Sequence, residues 1–232
     1  MENWTYASLL FFSLIIPFIR SFESRIRFVS KWPALFAGIL AMMLIFIPWD
    51  IWFTRSDIWH FNHEYVTGIY IASLPIEEWL FFIVISYACI FTYEVLKYFL
   101  PKFHVPQISK YLSIFAGLML IVIGLSNSDK LYTLIVTLLG AVLLSIQLLT
   151  TAHKTWLSHF WLSYFVTLIP FFIVNGILTD FPVVIYNNSE NLALRAYSIP
   201  VEDFVYFLCM MLIVTPVYEK LKKQSHKITF AN

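Results

Sequence analysis

Ser73-Leu74-Pro75-Ile76-Glu77-Glu78-Trp79 and Ser198-Ile199-Pro200-Val201-Glu202-Asp203-Phe204 lie 125 positions apart and read as one motif written twice. Each sets a proline and two acids at the head of a long apolar run. Proline is favoured at the first helical position, and acids in the first turn complement the helix dipole. Both stretches therefore predict helix starts. The same shift extends the likeness in both directions. Phe82 falls on Phe207, Tyr93-Glu94 on Tyr218-Glu219, and Leu96-Lys97 on Leu221-Lys222. Upstream, Thr54 falls on Thr179 and Asn62 on Asn187. The matches concentrate at polar residues, where an apolar chain offers the fewest chance coincidences.

The apolar runs are membrane spans. Hydrophobic residues make up 60% of the chain and charged residues 12%, where soluble domains carry about 25% charged residues. A helix needs about 20 mostly apolar residues to cross a bilayer. Seven segments come near that length, at residues 4–20, 33–53, 75–97, 109–126, 130–151, 156–178 and 200–221. The expected fold is an all-α integral membrane protein of two parallel three-helix repeats, residues 1–100 and 130–232. A connector with the fourth helix, residues 101–129, joins them. Four crossings separate equivalent helices, so the symmetry axis should lie along the membrane normal. The first run, Trp4 to Ile19, has no basic flank or small-residue cleavage site and reads as a mature span.

Lys and Arg alternate between connections. Arg20, Arg25, Arg27 and Lys31 follow the first span, Lys97, Lys102 and Lys110 the third, Lys154 the fifth, and Lys220, Lys222, Lys223 and Lys227 the last. The opposite connections hold only Arg55, Lys130 and Arg195. The positive-inside rule then puts the N-terminus outside and the C-terminus in the cytoplasm of a multi-pass cell-membrane protein. Both acidic motifs fall on the outer face. The scattered basic residues and net charge of +1 argue against nucleic-acid binding. Cys89 and Cys209 sit inside apolar runs and suggest neither a disulfide framework nor a zinc site.

One acid per motif is explained by helix capping. Four acids beside embedded helices ask for more, because ionisable groups there are expensive and usually functional. Glu77, Glu78, Glu202 and Asp203 are therefore the candidate catalytic residues. Burial near lipid favours a neutral carboxyl, while a helix N-terminus favours its anion. The sequence leaves open which prevails. Consecutive helical residues point about 100° apart, so the two acids of a motif cannot face one cavity equally. The shared position, Glu77 and Glu202, is the first choice for the inward pair. Asp50 and Asn175 end their helices at repeat-equivalent positions. Asn62, Asn187 and Arg195 lie in nearby loops, and Arg195 is placed to pair with an acid. Trp79, Phe82, Tyr206 and Phe207 belong to an aromatic crowd, with Trp49, Trp52, Trp59 and Phe81, that is either an interfacial belt or a wall able to stabilise a cation. Tyr93-Glu94 and Tyr218-Glu219 read as interfacial anchors at the opposite ends of their helices.

Pro75-Ile76-Glu77-Glu78-Trp79-Leu80-Phe81-Phe82 and Pro200-Val201-Glu202-Asp203-Phe204-Val205-Tyr206 resemble the paired motifs of the heterodimeric-type lycopene β-cyclase family, in its fused two-domain form. Trp59-His60-Phe61-Asn62, Asn175-Gly176-Ile177-Leu178-Thr179, Val184-Ile185-Tyr186-Asn187 and Arg195 fit as well. The resemblance covers nearly the whole chain. It implies acid-initiated, non-redox closure of the ψ ends of lycopene, or a related acyclic carotenoid, to β-ionone rings. Glu77 or Glu202 would be the acid. Asp50, Asn62, Asn175, Asn187, Arg195, Trp79, Phe82, Tyr206 and Phe207 would contact the substrate. The expected surroundings are the lipid bilayer, with room for contact with other carotenoid enzymes. No Gly-x-Gly-x-x-Gly occurs, so no dinucleotide fold, bound flavin or other cofactor is expected.

A small-molecule transporter with three helices, a connector and three helices is the competing class. Its acids belong at mid-membrane rather than at one face. A retinal-binding opsin needs a lysine within helix 7, and Lys220, Lys222 and Lys223 lie only at its end. A membrane di-iron hydroxylase needs several histidine clusters, and His60-x-x-His63 is the only one.

Overall fold

The computed structural model describes residues 2–151 and 156–229. Its helices are α1 (Thr5–Arg20), α2 (Trp32–Arg55), α3 (Ile76–Phe99), α4 (Pro106–Ser126), α5 (Leu131–Thr151), α6 (Trp156–Asp180) and α7 (Val201–Thr229). Six are long and apolar enough to cross a membrane, and α1 is a shorter apolar helix. Its 16 residues extend about 24 Å at 1.5 Å per residue. The protein is an all-α, multi-pass membrane protein. Lys154 lies outside the described residues, as do the side chains of Lys223 and Lys227.

Short strands sit at the motif end of the bundle. They are β1 (Trp59–Phe61), β2 (Tyr70–Ile71), β3 (Leu74–Pro75), β4 (Val184–Tyr186), β5 (Arg195–Ala196) and β6 (Ile199–Pro200). β1 and β4 are repeat equivalents, and they pair antiparallel with His60 opposite Ile185. The 125-residue shift carries His60 onto Ile185. A rotation exchanging the repeats must map this pair onto itself, so the pseudo-twofold axis passes through it.

Each repeat enters its acidic helix through the same device. β2 pairs with β3, and β5 with β6, in tight hairpins. The turns hold Ala72 and Tyr197, equivalent residues, at φ of 52° and 61°, where a side chain is strained. The Ile76 N–H then bonds the Ile69 carbonyl at 2.8 Å, and the Val201 N–H bonds the Leu194 carbonyl at 3.1 Å. The first amides of α3 and α7 are thus satisfied by the preceding loop.

α2 packs on α7 and α3 on α6, while α1 flanks α3, α5 flanks α7, and α4 lies on α5. The α2–α7 seam is tight. A Cβ at Gly38 would stand 2.9 Å from the Val214 carbonyl oxygen. Only glycine permits that approach.

The far end corrects one expectation. Tyr93, Glu94, Tyr218 and Glu219 are buried, so they do not anchor the interface. α3 and α7 meet there, and the charges pair across the repeats. Lys97 donates to Glu219 at 2.7 Å and Tyr93 to the same oxygen at 2.9 Å. Lys31 and Lys222 both donate to Glu94. Proximity of the two helices turned would-be surface residues into an internal clasp.

Candidate active site

The two acids of each motif separate as helical geometry demands, in the opposite sense to the one expected. Glu77 and Glu202 turn to the flank. Glu77 Oε1 accepts the Thr67 N–H at 2.7 Å, and Glu202 Oε1 accepts the Leu192 N–H at 2.7 Å and the Thr133 hydroxyl at 2.6 Å. Thr67 and Leu192 are repeat equivalents. The first acid of each motif therefore fastens its own loop to the helix start. Among the described residues the other oxygen, Oε2, is buried without a hydrogen-bond partner in both.

Glu78 and Asp203 face a shared cavity between the repeats, and Asp50 joins them. Glu78 is 7% exposed, Asp203 5% and Asp50 1%. Among the described residues no lysine or arginine lines the cavity. Four tyrosines aim their hydroxyls at these acids. Tyr6 donates to Glu78 Oε2 at 2.6 Å and Tyr206 to Asp50 Oδ1 at 2.7 Å. Tyr132 donates to Asp203 Oδ1 at 2.7 Å, and Tyr186 to Asp203 Oδ2 at 2.8 Å. Asn175 Nδ2 adds a third bond to Asp203 Oδ2, at 2.7 Å. Burial, and after it the Asp203 charge, push the Tyr186 phenol well above its ordinary pKa, so it remains a donor.

The halves of the site are not alike. Asp203 receives three donated hydrogen bonds, and a carboxylate has about four lone-pair sites. Among the described residues Glu78 receives one hydrogen bond and Asp50 one. In the second repeat the asparagine Asn175 faces an acid. At the equivalent positions of the first repeat two acids, Asp50 and Glu78, stand together.

Aromatic rings form the remaining wall. Phe171 and Phe207 stack at 4.8 Å and 15°, and Trp59 meets Tyr132 edge-on at 5.2 Å. Tyr206 lies 4.8 Å from Phe46 and 5.1 Å from Trp49. Ring faces carry negative potential, which suits a transient cation.

Of the residues expected from sequence, Asp50, Glu78, Asn175, Asp203, Tyr206 and Phe207 line the cavity. The others do not. Phe82 is fully buried behind it, against Phe46. Trp79 donates to the Ile71 carbonyl at 3.3 Å. Asn62 Oδ1 accepts the Glu64 N–H, and Asn187 Oδ1 accepts the Ser189 N–H, so both shape loops. Among the described residues Arg195 pairs with no acid. It bonds Asn188 Oδ1 and lies 5.4 Å over the Tyr186 ring.

Sequence reading missed Tyr6 and Tyr132. They are equivalents at a shift of 126 rather than 125, so the gapless alignment set Tyr6 against Leu131. Allowing one gap before the second span would have matched them. Among the described residues no group of His, Cys, Asp or Glu is arranged to hold a metal ion.

A family model described as lycopene cyclase matches residues 3–96 and 129–221, most of the chain and both repeats. The chain belongs to the lycopene cyclase family. No curated protein and no solved structure matches it. Membership indicates an enzyme of carotenoid biosynthesis that meets a carotenoid substrate in a membrane. The matched regions contain every acid and tyrosine of the cavity described above.

Proposed function

We propose that this lycopene cyclase is a β-cyclase, an isomerase that closes the ψ ends of lycopene to β-ionone rings without redox change. The observation that carries the reading is the unequal pair of acids in an aromatic cavity without basic side chains. Three carboxylates there would lack a counter-charge. Burying uncompensated charge is costly, and a proton shared between Asp50 and Glu78 lowers that cost.

Glu78, beside Asp50, is the proposed proton donor. It protonates C2 of the terminal double bond, which leaves a cation at C1. The C5–C6 double bond attacks C1, forming the C1–C6 bond and moving the cation to C5. Loss of the C6 proton creates the ring double bond. One proton enters and one leaves, so the product is an isomer of lycopene. Asp203, holding the donated hydrogen bonds of Tyr132, Tyr186 and Asn175, is the proposed anion that faces the cation. It keeps about one lone-pair site for the departing proton. The aromatic wall lowers the energy of the cation between the two events. Glu77 and Glu202 act indirectly, by holding the loops that aim the next residue inward. The loop charges support an N-outside orientation, with the site on the outer side.

The test is expression of the full chain in a lycopene-accumulating host with pigment analysis. Cyclic carotenoid of unchanged mass is expected. Its absence from cells with inserted wild-type protein refutes the reading.

A further inference from the structure

A second apolar space runs on from the acid cavity. Phe81, Phe171, Asn175 and Phe207 line both. On α3 the space follows Phe81, Ile85, Ala88 and Thr92, a spacing that keeps to one helical face. On α6 it follows Val174, Phe171 and Thr167. From Phe81 to Thr92 the stripe covers about 16 Å at 1.5 Å per residue. That is about half of the ~30 Å hydrocarbon core. The hydroxyls of Thr92 and Thr167 are spent on their own helices, on Ala88 O at 2.9 Å and Ser163 O at 2.8 Å. The groove is left without a free polar group from either threonine.

The fold is pseudo-twofold, yet among the described residues the seam equivalent to this groove is packed with buried side chains. The 125-residue shift replaces Ala88 by Ile213, Cys89 by Val214, Thr92 by Val217 and Val174 by Trp49. Larger side chains thus fill the equivalent space between α2 and α7. Trp49 and Phe46 close it against Tyr206, and the Gly38–Val214 approach seals the rest. Small residues hold one seam open, and bulky ones shut its mate.

We propose that the α3–α6 groove holds the polyene tail of the acyclic carotenoid while one ψ end lies against Asp50, Glu78 and Asp203. This rests on the cyclase reading for the identity of the occupant. The occupant follows from continuity. A groove that is apolar along its length, starts at the acids and runs with the membrane helices matches a long hydrocarbon whose end is the reacting group. A single groove seats one molecule in one direction. Each ring then needs its own binding event, and the two-ringed product requires release and reversal.

The experiment uses the full chain in lipid nanodiscs with lycopene as the probe. Binding is followed by quenching of tryptophan fluorescence, and turnover by ring formation. Ala88→Val and Ala88→Phe narrow the groove in two steps, the first by two methyl groups. Ile213→Val alters the sealed equivalent. The expected result is a graded rise in KM and in Kd for lycopene, at least threefold for Ala88→Val and tenfold for Ala88→Phe. Little change is expected in kcat or for Ile213→Val. If Ala88→Phe fails to insert, Ala88→Val alone decides. Unchanged KM and Kd in Ala88→Val, or an equal rise in Ile213→Val, overturns the groove. Wild-type binding weakened by Ala88→Val without any ring formation overturns the cyclase reading and leaves the groove standing.

Discussion

Asn175 donates to Asp203 at 2.7 Å, and the residues at the same two places in the other repeat are Asp50 and Glu78. An amide facing an acid is a complete pair when the acid is an anion, because the N–H donates and the carboxylate accepts. Two acids facing one another are complete only when a proton lies between them. The twofold frame therefore carries two unlike half-sites: beside Asp50/Asn175 and Glu78/Asp203, the tyrosine donors Tyr186 and Tyr206 have Phe61 and Phe81 as their equivalents.

Glu78→Gln is expected to lower ring formation by about a hundredfold or more, the usual weight of a general acid. Asp50→Asn copies the second repeat's arrangement into the first and should also slow the reaction, by a smaller factor. Initial rates of cyclic product in membranes, normalised to inserted protein, measure both. Full activity in Glu78→Gln would remove it as the donor.

Glu77→Gln and Glu202→Gln should keep most of their activity, since an amide oxygen still accepts the loop N–H. Glu77→Ala and Glu202→Ala leave a buried amide without its acceptor, which costs about 1–3 kcal/mol each. A lower Tm is the expected readout. Loss of cyclisation in Glu202→Gln with activity retained in Asp203→Asn would reverse the assignment of the two positions.

Tyr132→Phe and Tyr186→Phe each take one donor from Asp203. Hydrogen bonds to charged groups contribute about 1.5–3 kcal/mol. A loss of stabilisation of that size predicts a slower kcat in each variant, by roughly ten- to a hundredfold on the ~1.4 kcal/mol-per-decade scale. The double variant should be slower still. Rates that stay level in both single variants would mean that the Asp203 anion does not contribute to the barrier.

Glu94→Gln breaks the clasp at the far end. Lys31 and Lys222 would lose their shared carboxylate. Removing one partner of a buried ion pair destabilises by about 3–5 kcal/mol. Thermal unfolding should shift downward, while turnover at low temperature persists because the cavity lies at the other end of the bundle. An unchanged Tm would count the clasp as energetically neutral.

A time course started with lycopene should show the monocyclic product before the dicyclic one. One groove processes one end per visit. Simultaneous appearance of both products in fixed ratio from the earliest points would indicate that the second ring closes without release.

Much of this was legible in the sequence because the physics involved is local or periodic. Hydropathy over about 20 residues locates a span without reference to its neighbours. Each of the seven predicted segments falls on a helix, six to within a few residues at both ends, while α7 runs on past the predicted end at 221 to Thr229. The proline-acid motifs marked the starts of α3 and α7, and the shift between them exposed the repeat. Composition set the membrane class, and the motif likeness reached the family that the residues 3–96 and 129–221 match shows.

Which acid faces the cavity was a tertiary matter. A helix turn separates Glu77 from Glu78 by about 100°, but nothing local says which direction is inward. That was decided by the loops, whose Thr67 and Leu192 amides claim the first acid of each motif. Tyr6 and Tyr132 reach acids 72 and 71 positions away, contacts that no window along the chain contains. The buried clasp arose in the same way, from two helix ends meeting. The opened motif thus divides in two. The proline and the acidic pair told, from sequence alone, where two equivalent helices begin. Only the packing of six helices around one axis made the first acid a fastener and the second a wall of the cavity, because orientation about a helix axis is set by what lies beside it.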